Sequence, residues 1–372
     1  EPPGAGDDTR LWGPPFLQDP QGQPTGESAY YLCTNRNKRS LAIDLTHPAG
    51  QALIRELAMQ CDVLIENFKV GGLQAYGLDA ESLRTLNPRL IYCSITGFGQ
   101  TGPYAHRAGY DFLIQGMGGL MSVTGRGDHE PGAGPMKVGV ALTDIMTGLY
   151  ASTAILAALQ ARHTTGEGQH IDLALLDVQV AGLANQGMNY LYSGQLPKRM
   201  GNAHPNTVPY QDFPTADGHM ILAIGNDGQF AKFCEAAGRA EWSRDERFAT
   251  NAARVKHRST LIPYMTEVTR TRSTREWVSA LENLGVPCGP IHTVDQVYQD
   301  PQVQARNMTF DMQHPEAGAI PLVANPIRMS HTPVAYRHAP PMLGQHTREV
   351  LSEVLGMADA TLNDLTQQGV FG

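Results

Sequence analysis

An α/β fold with a mostly parallel sheet, joined to a smaller α+β domain, is predicted by three features of this sequence. Short apolar runs alternate with helical stretches from residue 40 to residue 193. The runs are continuously apolar, as in Asp62-Val-Leu-Ile-Glu, which is the pattern of strands covered on both faces. The rhythm then breaks at a Pro/Gly/Asn-rich crossover, Gly194 to Pro209, beyond which helices dominate.

Residues 1–28 are Pro-, Gly- and Asp-rich and read as irregular. Ser40-Leu-Ala-Ile-Asp-Leu reads as a short strand, and Pro48 to Met59 as a helix with proline in its first turn. Asp62 to Glu66 is a strand, Ala80 to Leu86 a short helix, and Leu90 to Ile95 a strand closed by Thr96-Gly-Phe-Gly. Tyr110 to Leu120 reads as helical and Gly125 to Gly134 as a loop. Lys137 to Thr143 looks like a strand and Ile145 onward like a helix. A strand follows from His170 to Leu175, then a helix from Asp177 to Tyr192. Beyond the crossover come a strand (Met220 to Ile224), a helix (Gln229 to Ala237) and further helices up to Leu284, where Gly285 and Pro287 stop the last one. Residues 307–336 hold short strands separated by prolines, and Thr347 to Leu355 is a capped helix. The expected division is a large domain over 1–193, a linker over 194–209, a small domain over 210–300, and a return over 301–372 that completes the large domain.

The net charge is −8 and the basic residues are scattered, so neither a nucleic acid nor an anionic membrane is an expected partner. The longest apolar helical candidate, Gly148 to Ala161, is interrupted by Ser, Thr and Gln and reads as too short to span a bilayer. The five cysteines are widely spaced and unpaired in pattern, which points to a reducing cytoplasm. The 13 histidines form no ligand pair, so no metal is expected. Neither a dinucleotide fingerprint, a phosphate loop nor a nucleophile elbow is present.

Asp144 is the only acid between Glu130 and Glu167, at the change from strand-like to helical pattern. Two readings stand side by side. Asp144, or Thr143 beside it, caps the helix, or Asp144 is a partly dried carboxylate held ionised by the helix start and available as a nucleophile. Other segments have similar pairs of readings. Lys38 and Arg39 suit phosphates or a solvated turn. Asn67 and Phe68 end a buried strand, where open α/β sheets bind ligands, or make a plain turn. Gly97 and Phe98 open a glycine-rich loop that permits close backbone approach to a long ligand, or is an ordinary glycine-rich connection. Trp12, Tyr30 and Tyr110 are aromatics in or beside polar loops, either substrate walls or structural rings.

Taken in order, Gly4-Ala-Gly-Asp-Asp-Thr-Arg, Asn37-Lys-Arg-Ser, Glu66-Asn-Phe, Leu86-Asn-Pro-Arg-Leu-Ile-Tyr, Gly97-Phe-Gly-Gln-Thr-Gly-Pro, Gly109-Tyr-Asp, Asp144 with Thr147-Gly148, Thr165-Gly-Glu-Gly-Gln, Gly285-Val-Pro and Leu343-Gly-Gln-His-Thr resemble the family III CoA-transferases. The formyl-CoA transferases and the carnitine/bile-acid CoA-transferase group belong to that family. The similarity is greatest to its succinyl-CoA:glutarate (hydroxymethylglutarate) branch, through Gly4 to Trp12, Arg107-Ala-Gly-Tyr-Asp and Val208-Pro-Tyr-Gln. The resemblance implies a Rossmann-like large domain and an interlocked homodimer, with acyl-CoA and a carboxylic acid as substrates and no permanently bound cofactor. It implies that Asp144 is a nucleophile passing through an aspartyl–acyl anhydride and an aspartyl-CoA thioester. Trp12, Tyr30, Tyr110 and Asp111 would lie around the acyl groups. Asn37, Lys38, Arg39, Asn67 and Phe68 would line the CoA path, with Gly97 and Phe98 also contacting CoA.

Departures from the family pattern carry expectations too. Formyl-CoA transferases follow Gly-Asn-Ala with a run of glycines, whereas here Gly201-Asn-Ala precedes His204-Pro-Asn-Thr, a stiffer loop that argues against formate exchange. His204 is a candidate for a substrate's distal carboxylate, or a polar loop residue. Ala75 stands where formyl-CoA transferases have a basic CoA contact. Family members open with a strand, a helix and a strand before the segment matching Gly4, so the sheet is expected to lack that unit. An α-methylacyl-CoA racemase shares the fold but needs a histidine where this chain has Tyr110, and a phenol with a pKa of about 10 is a poor base near neutrality. A catalytically inactive CoA-binding protein is the remaining alternative, and the intact Asp144 argues against it.

Overall fold

The computed structural model describes residues 1–371 and is a mixed α/β protein. It divides into two units, each with its own core. The first comprises Glu1–Gly109, Ile145–Leu175 and Gln296–Gly372; the second comprises Tyr110–Asp144 and Leu176–Asp295.

The first unit is built on a three-stranded parallel sheet of Val63–Glu66, Ile91–Thr96 and His170–Ala174, with Ile91–Thr96 in the middle. Register is set by Val63 opposite Ile91 and Tyr92 opposite His170. The central strand is the most buried of the three, with Ile91 to Ser94 covered, as a strand paired on both edges requires. Gly168 precedes the third strand because a Cβ there would stand 2.1 Å from the Leu90 carbonyl oxygen. The helices Pro48–Gln60 and Ala80–Leu86 start at caps, His47 accepting from the Ala49 N–H and Asp79 from those of Glu81 and Ser82. Their inner faces supply Ala58 and Leu83 to a core shared with Leu73, Leu78, Leu90 and Tyr92. Leu53 belongs to a second core with Ile43, Leu351, Leu362, Val370 and Phe371.

The second unit carries an antiparallel sheet of Tyr210–Pro214, His219–Ala223 and Cys288–Pro290. Phe213, Met220, Phe230, Phe233, Phe248 and Trp277 are fully buried in its core. Each contributes about 2–3 kcal/mol of apolar transfer free energy, before conformational entropy is set against it.

Several expectations need correction. Ser40 to Leu45 forms no strand; its N–H groups go instead to single partners, Ala42 to the Thr347 hydroxyl and Asp44 to the Val370 carbonyl. Lys137 to Thr143 forms no strand either, because no neighbouring strand pairs with it and a side chain takes the Val138 N–H. The expected helix Asp177 to Tyr192 is two helices, Leu175–Gly182 and Ala184–Ser193, broken where Ala184 takes a positive φ of 46°. The strands Tyr210–Pro214 and Cys288–Pro290 went unread.

The Asp144 helix is longer than expected, running from Leu142 to Thr165 over 24 residues. By length and composition it is long and apolar enough to cross a membrane, and most of its apolar stretch is not buried within this chain. Ser152, Thr153 and Gln160, expected to interrupt the apolar run, leave it apolar enough for that length.

Candidate active site

Asp144 lies in the first turn of the helix Leu142–Thr165, two residues past its first residue. A helix start leaves N–H groups without partners inside the helix. The expected cap was Asp144 or Thr143. The structure gives that role to Asp111, 33 residues upstream, whose Oδ1 accepts from the Thr143 N–H at 2.8 Å and the Asp144 N–H at 3.4 Å. The other oxygen, Oδ2, accepts from Gln115 Nε2 at 2.7 Å. Gln115 is fully buried, and its Oε1 accepts from the Val138 N–H at 2.9 Å. Thr143 is fully buried as well and donates through Oγ1 to Gln179 Oε1 at 2.7 Å.

The Asp144 carboxylate is thereby left exposed and out of the capping network. Crowding by protein atoms pushes its pKa up to about 6, and the like charge of Asp111 adds to the rise. Such a carboxylate is mostly ionised at neutral pH yet more basic than an ordinary aspartate, a combination suited to nucleophilic attack on an activated carbonyl.

Asp111 opens the helix Asp111–Met117. Tyr110, just before it, makes no side-chain capping bond and is 66% exposed. The helix ends at Gly118, where a Cβ would stand 2.3 Å from Gln179 Cγ. That close approach sets the helix against the Gln179 side chain that holds Thr143. His204 lies in a loop of the same unit, with its ring 5.3 Å from that of Tyr210 and its Nδ1 accepting from the Asn206 N–H.

The remaining candidates belong to the first unit. Trp12 and Tyr30 form an edge-to-face pair with ring centroids 5.0 Å apart. Asn37 has a positive φ of 60° and ties the chain to its return segment: Oδ1 accepts from the N–H groups of Arg337 and His338, and Nδ2 donates to the Ala335 carbonyl. Arg39 pairs with Glu349 and Glu353. Lys38 donates to Asn35 Oδ1 at 3.0 Å and borders a cavity of about 470 Å³ shared with Tyr31, Asn35, Arg39 and Ser40. Burial pulls its ammonium below the usual lysine range, with Asp7 and Glu1 pulling the other way.

Asn67 and Phe68 follow the strand Val63–Glu66 and are both exposed. Gly97 and Gly109 pinch the neck of a 13-residue loop, since a Cβ on Gly97 would stand 2.6 Å from Gly109 Cα. Inside that loop the Phe98 and Tyr104 rings meet edge-on at 5.6 Å, and the Arg107 guanidinium covers both.

Reasoning from sequence missed Gln115 and Gln179. One signal was available for Gln115: it lies four residues past Asp111, the spacing at which helix side chains meet. No comparable signal existed for Gln179. Among the described residues, no three His, Cys, Asp or Glu side chains gather as a metal cage would need.

The family model described as CoA-transferase family III matches residues 1–347. A succinate–glutarate CoA-transferase of Agrobacterium fabrum is 54% identical over 354 residues, covering 95% of this chain and 87% of that protein. The human succinyl-CoA:glutarate CoA-transferase is 42% identical over 370 residues, covering 100% of this chain and 82% of the relative. Among solved structures, a CAIB/BAIF family protein from Brucella suis superposes with a TM-score of 0.81 at 50% identity, covering 95% of this chain and 90% of that one.

Proposed function

The chain belongs to CoA-transferase family III and is a CoA-transferase, and from that premise we propose that it moves CoA from succinyl-CoA to glutarate or a related short dicarboxylic acid through Asp144. The observation that carries the reading is the free carboxylate at the helix start, raised in pKa and relieved of capping by Asp111. The names of the relatives support the choice of donor and acceptor class.

The steps balance without a net proton. An Asp144 oxygen attacks the thioester carbonyl of succinyl-CoA, the C–S bond breaks, and an aspartyl–succinyl anhydride forms with release of CoA thiolate. The thiolate attacks the aspartyl carbonyl of that anhydride and expels succinate, leaving an aspartyl-CoA thioester. The acceptor carboxylate attacks this thioester, giving a second mixed anhydride and thiolate again. Attack of the thiolate on the acceptor's carbonyl yields the new acyl-CoA and returns Asp144 to its starting state. Splitting one exchange between a poor nucleophile and a thioester into covalent steps lowers each barrier.

On the first unit, Lys38 is a better candidate for a CoA phosphate than Arg39, whose guanidinium is already paired with two glutamates. Asn67, Phe68, Gly97 and Phe98 remain candidates for the CoA path, and Trp12, Tyr30, Tyr110 and His204 for the acyl groups. Asn37 is a weaker candidate, because its side-chain amide is occupied by the return segment.

A homodimer, interlocked as the family resemblance implies, is part of the same proposal. The exposed apolar face of the helix Leu142–Thr165 supports it, with Leu149 at 63% and Leu156 at 66% exposure. A second copy of the chain would cover that face in a cytoplasmic protein. Light scattering at micromolar concentration should return twice the chain mass of 40.3 kDa. A monomer that turns over would remove this part of the reading.

The decisive experiment mixes the protein with succinyl-CoA and a panel of dicarboxylates and follows the acyl-CoA products by mass spectrometry. Glutaryl-CoA should form, and Asp144→Ala should abolish it. A fully active Asp144→Ala variant would overturn the mechanism. Deuterium uptake at the α-carbon of a 2-methylacyl-CoA, without transfer, would point to racemisation instead.

A further inference from the structure

The first turn of a helix draws nearby carboxylates onto its free N–H groups and favours their charged form. Asp144, third residue of the helix Leu142–Thr165, is well placed to be drawn in that way. A carboxylate so engaged would have its lone pairs occupied and its basicity lowered, both of which blunt a nucleophile. The structure avoids this by bringing in a second acid. Asp111 Oδ1 takes the Thr143 and Asp144 N–H groups at 2.8 and 3.4 Å.

Asp111 is itself held by neutral groups that are almost wholly buried. Gln115 Nε2 donates to its Oδ2 at 2.7 Å, and Gln115 Oε1 takes the Val138 N–H at 2.9 Å. Gln179 fixes Thr143 from the other side at 2.7 Å. Gln115, Thr143 and Gln179 are at most 1% exposed. A buried hydrogen-bonded network of this kind is costly to rearrange.

We propose that Asp111 is a positioning residue for the transfer reaction, one that with Gln115 caps the helix from outside and leaves the Asp144 carboxylate free to attack. The inference rests on Asp144 being the nucleophile. It replaces an acyl-contact role for Asp111 with one exerted through the backbone of Thr143 and Asp144. Its charge matters as well as its hydrogen bonds. A neutral acceptor would satisfy the same N–H groups without offsetting the helix's positive end, so Asp144 would become a weaker base. Asp111 is the charged group that acts on Asp144. Gln115, Thr143 and Gln179 are neutral, and the Lys137 ammonium donates to the Val138 carbonyl.

The amide orientation of Gln115 supplies a test that separates positioning from mere structural support. In Asp111→Asn the new Nδ2 faces Gln115 Nε2, donor against donor. Flipping Gln115 relieves that contact but turns an N–H₂ toward the Val138 N–H. Adding Gln115→Glu puts acceptors on both sides and restores the bonds to residue 111 and Val138, gives up only the long 3.4 Å bond from Gln115 Nε2 to the Val140 carbonyl, and moves the charge from residue 111 to residue 115, one hydrogen bond further from the helix start.

Transfer from succinyl-CoA to glutarate is measured for wild type, Asp111→Asn, the double variant and Asp144→Ala. Asp111→Asn should lose about 10–100-fold in kcat, the scale of a misplaced reacting group, with KM for both substrates changed less than about twofold. Its acid limb in kcat/KM should move about half a pH unit or more downward. The double variant should recover at least about tenfold of the lost kcat while keeping the lowered limb. An Asp111→Asn variant with wild-type kcat and limb overturns the proposal. So does a folded double variant no better than the single one. If Asp111→Asn alone does not fold, the double variant decides, and an unshifted acid limb in it overturns the proposal. Asp144→Ala separates the two layers: activity in that variant refutes the nucleophile itself, whereas a dead Asp144→Ala beside an unaffected Asp111→Asn refutes only the positioning role.

Discussion

Lowering the pH should switch the enzyme off much earlier than an ordinary aspartate nucleophile would. The Asp144 pKa is pushed up to about 6 by crowding and by the Asp111 charge. A carboxyl with that pKa is about one-eleventh ionised at pH 5, whereas one at the usual value of about 3.9 is more than 90% ionised there. Because attack needs the carboxylate, kcat/KM for succinyl-CoA should fall about tenfold between pH 7.5 and pH 5 and continue down with unit slope. The sign follows from the direction of the shift: a raised pKa leaves more of the group protonated, and inert, in mild acid. The donor's own free carboxyl titrates near about 4.3 and cannot produce a limb at 6. Initial rates of glutaryl-CoA formation, with donor held well below KM and buffers overlapped to cancel salt effects, give the profile directly. A limb at or below about pH 4.5 would refute the claim that the Asp144 environment governs the reaction.

Three further outcomes follow from the same structure. Asp144→Asn should raise the melting temperature by about 1–2 °C above pH 6, because the folded state penalises the charged carboxylate there, and the gain should close as pH falls from 6 toward 4; a destabilised variant at pH 7.5 would contradict the raised pKa. Arg254→Met should cost about 3–5 kcal/mol in urea unfolding. The fully buried guanidinium donates to the carbonyls of Val208 and Phe248 and to Asp227 while lying 4.5 Å from the Phe230 ring centroid, so a shift within error would show those bonds to be dispensable. Gly97→Ala should cost about 2–4 kcal/mol, since its Cβ would stand 2.6 Å from the Gly109 backbone and no side-chain rotation relieves that clash; a wild-type denaturation midpoint would show the loop neck to be pliable.

The parts of the fold that were legible in the sequence are those specified locally. The strands Val63–Glu66 and Ile91–Thr96 show as short, largely apolar runs, though only the second is buried as that pattern implied, Ile65 being 56% exposed, and the helix Pro48–Gln60 carries its own start signal. What failed depended on partners far along the chain. Val138-Gly-Val-Ala-Leu reads as a strand by composition but finds no strand to pair with, and Gln115 takes its N–H instead. Cys288-Gly-Pro is a strand only because Met220 to Leu222 lie beside it. The site divided in the same way. An acid at a helix start is visible as Asp144, but which acid performs the capping is settled by contacts across 33 residues of chain.

That division reverses the ordinary logic of a helix start. Capping would have made Asp144 a stabilising residue and a poor nucleophile. Handing the cap to Asp111 costs the fold a pair of like charges at one helix end, which the buried amides of Gln115 and Gln179 hold in place without neutralising. A strained arrangement of that kind persists where surrounding contacts over-determine it, and here they do: each of the two amides is fully buried and hydrogen-bonded to the capping network. The raised Asp144 pKa and the expected gain in stability on removing its charge are therefore two readings of one device. Stability surrendered at this helix start is retained as basicity on the carboxylate that the transfer reaction requires.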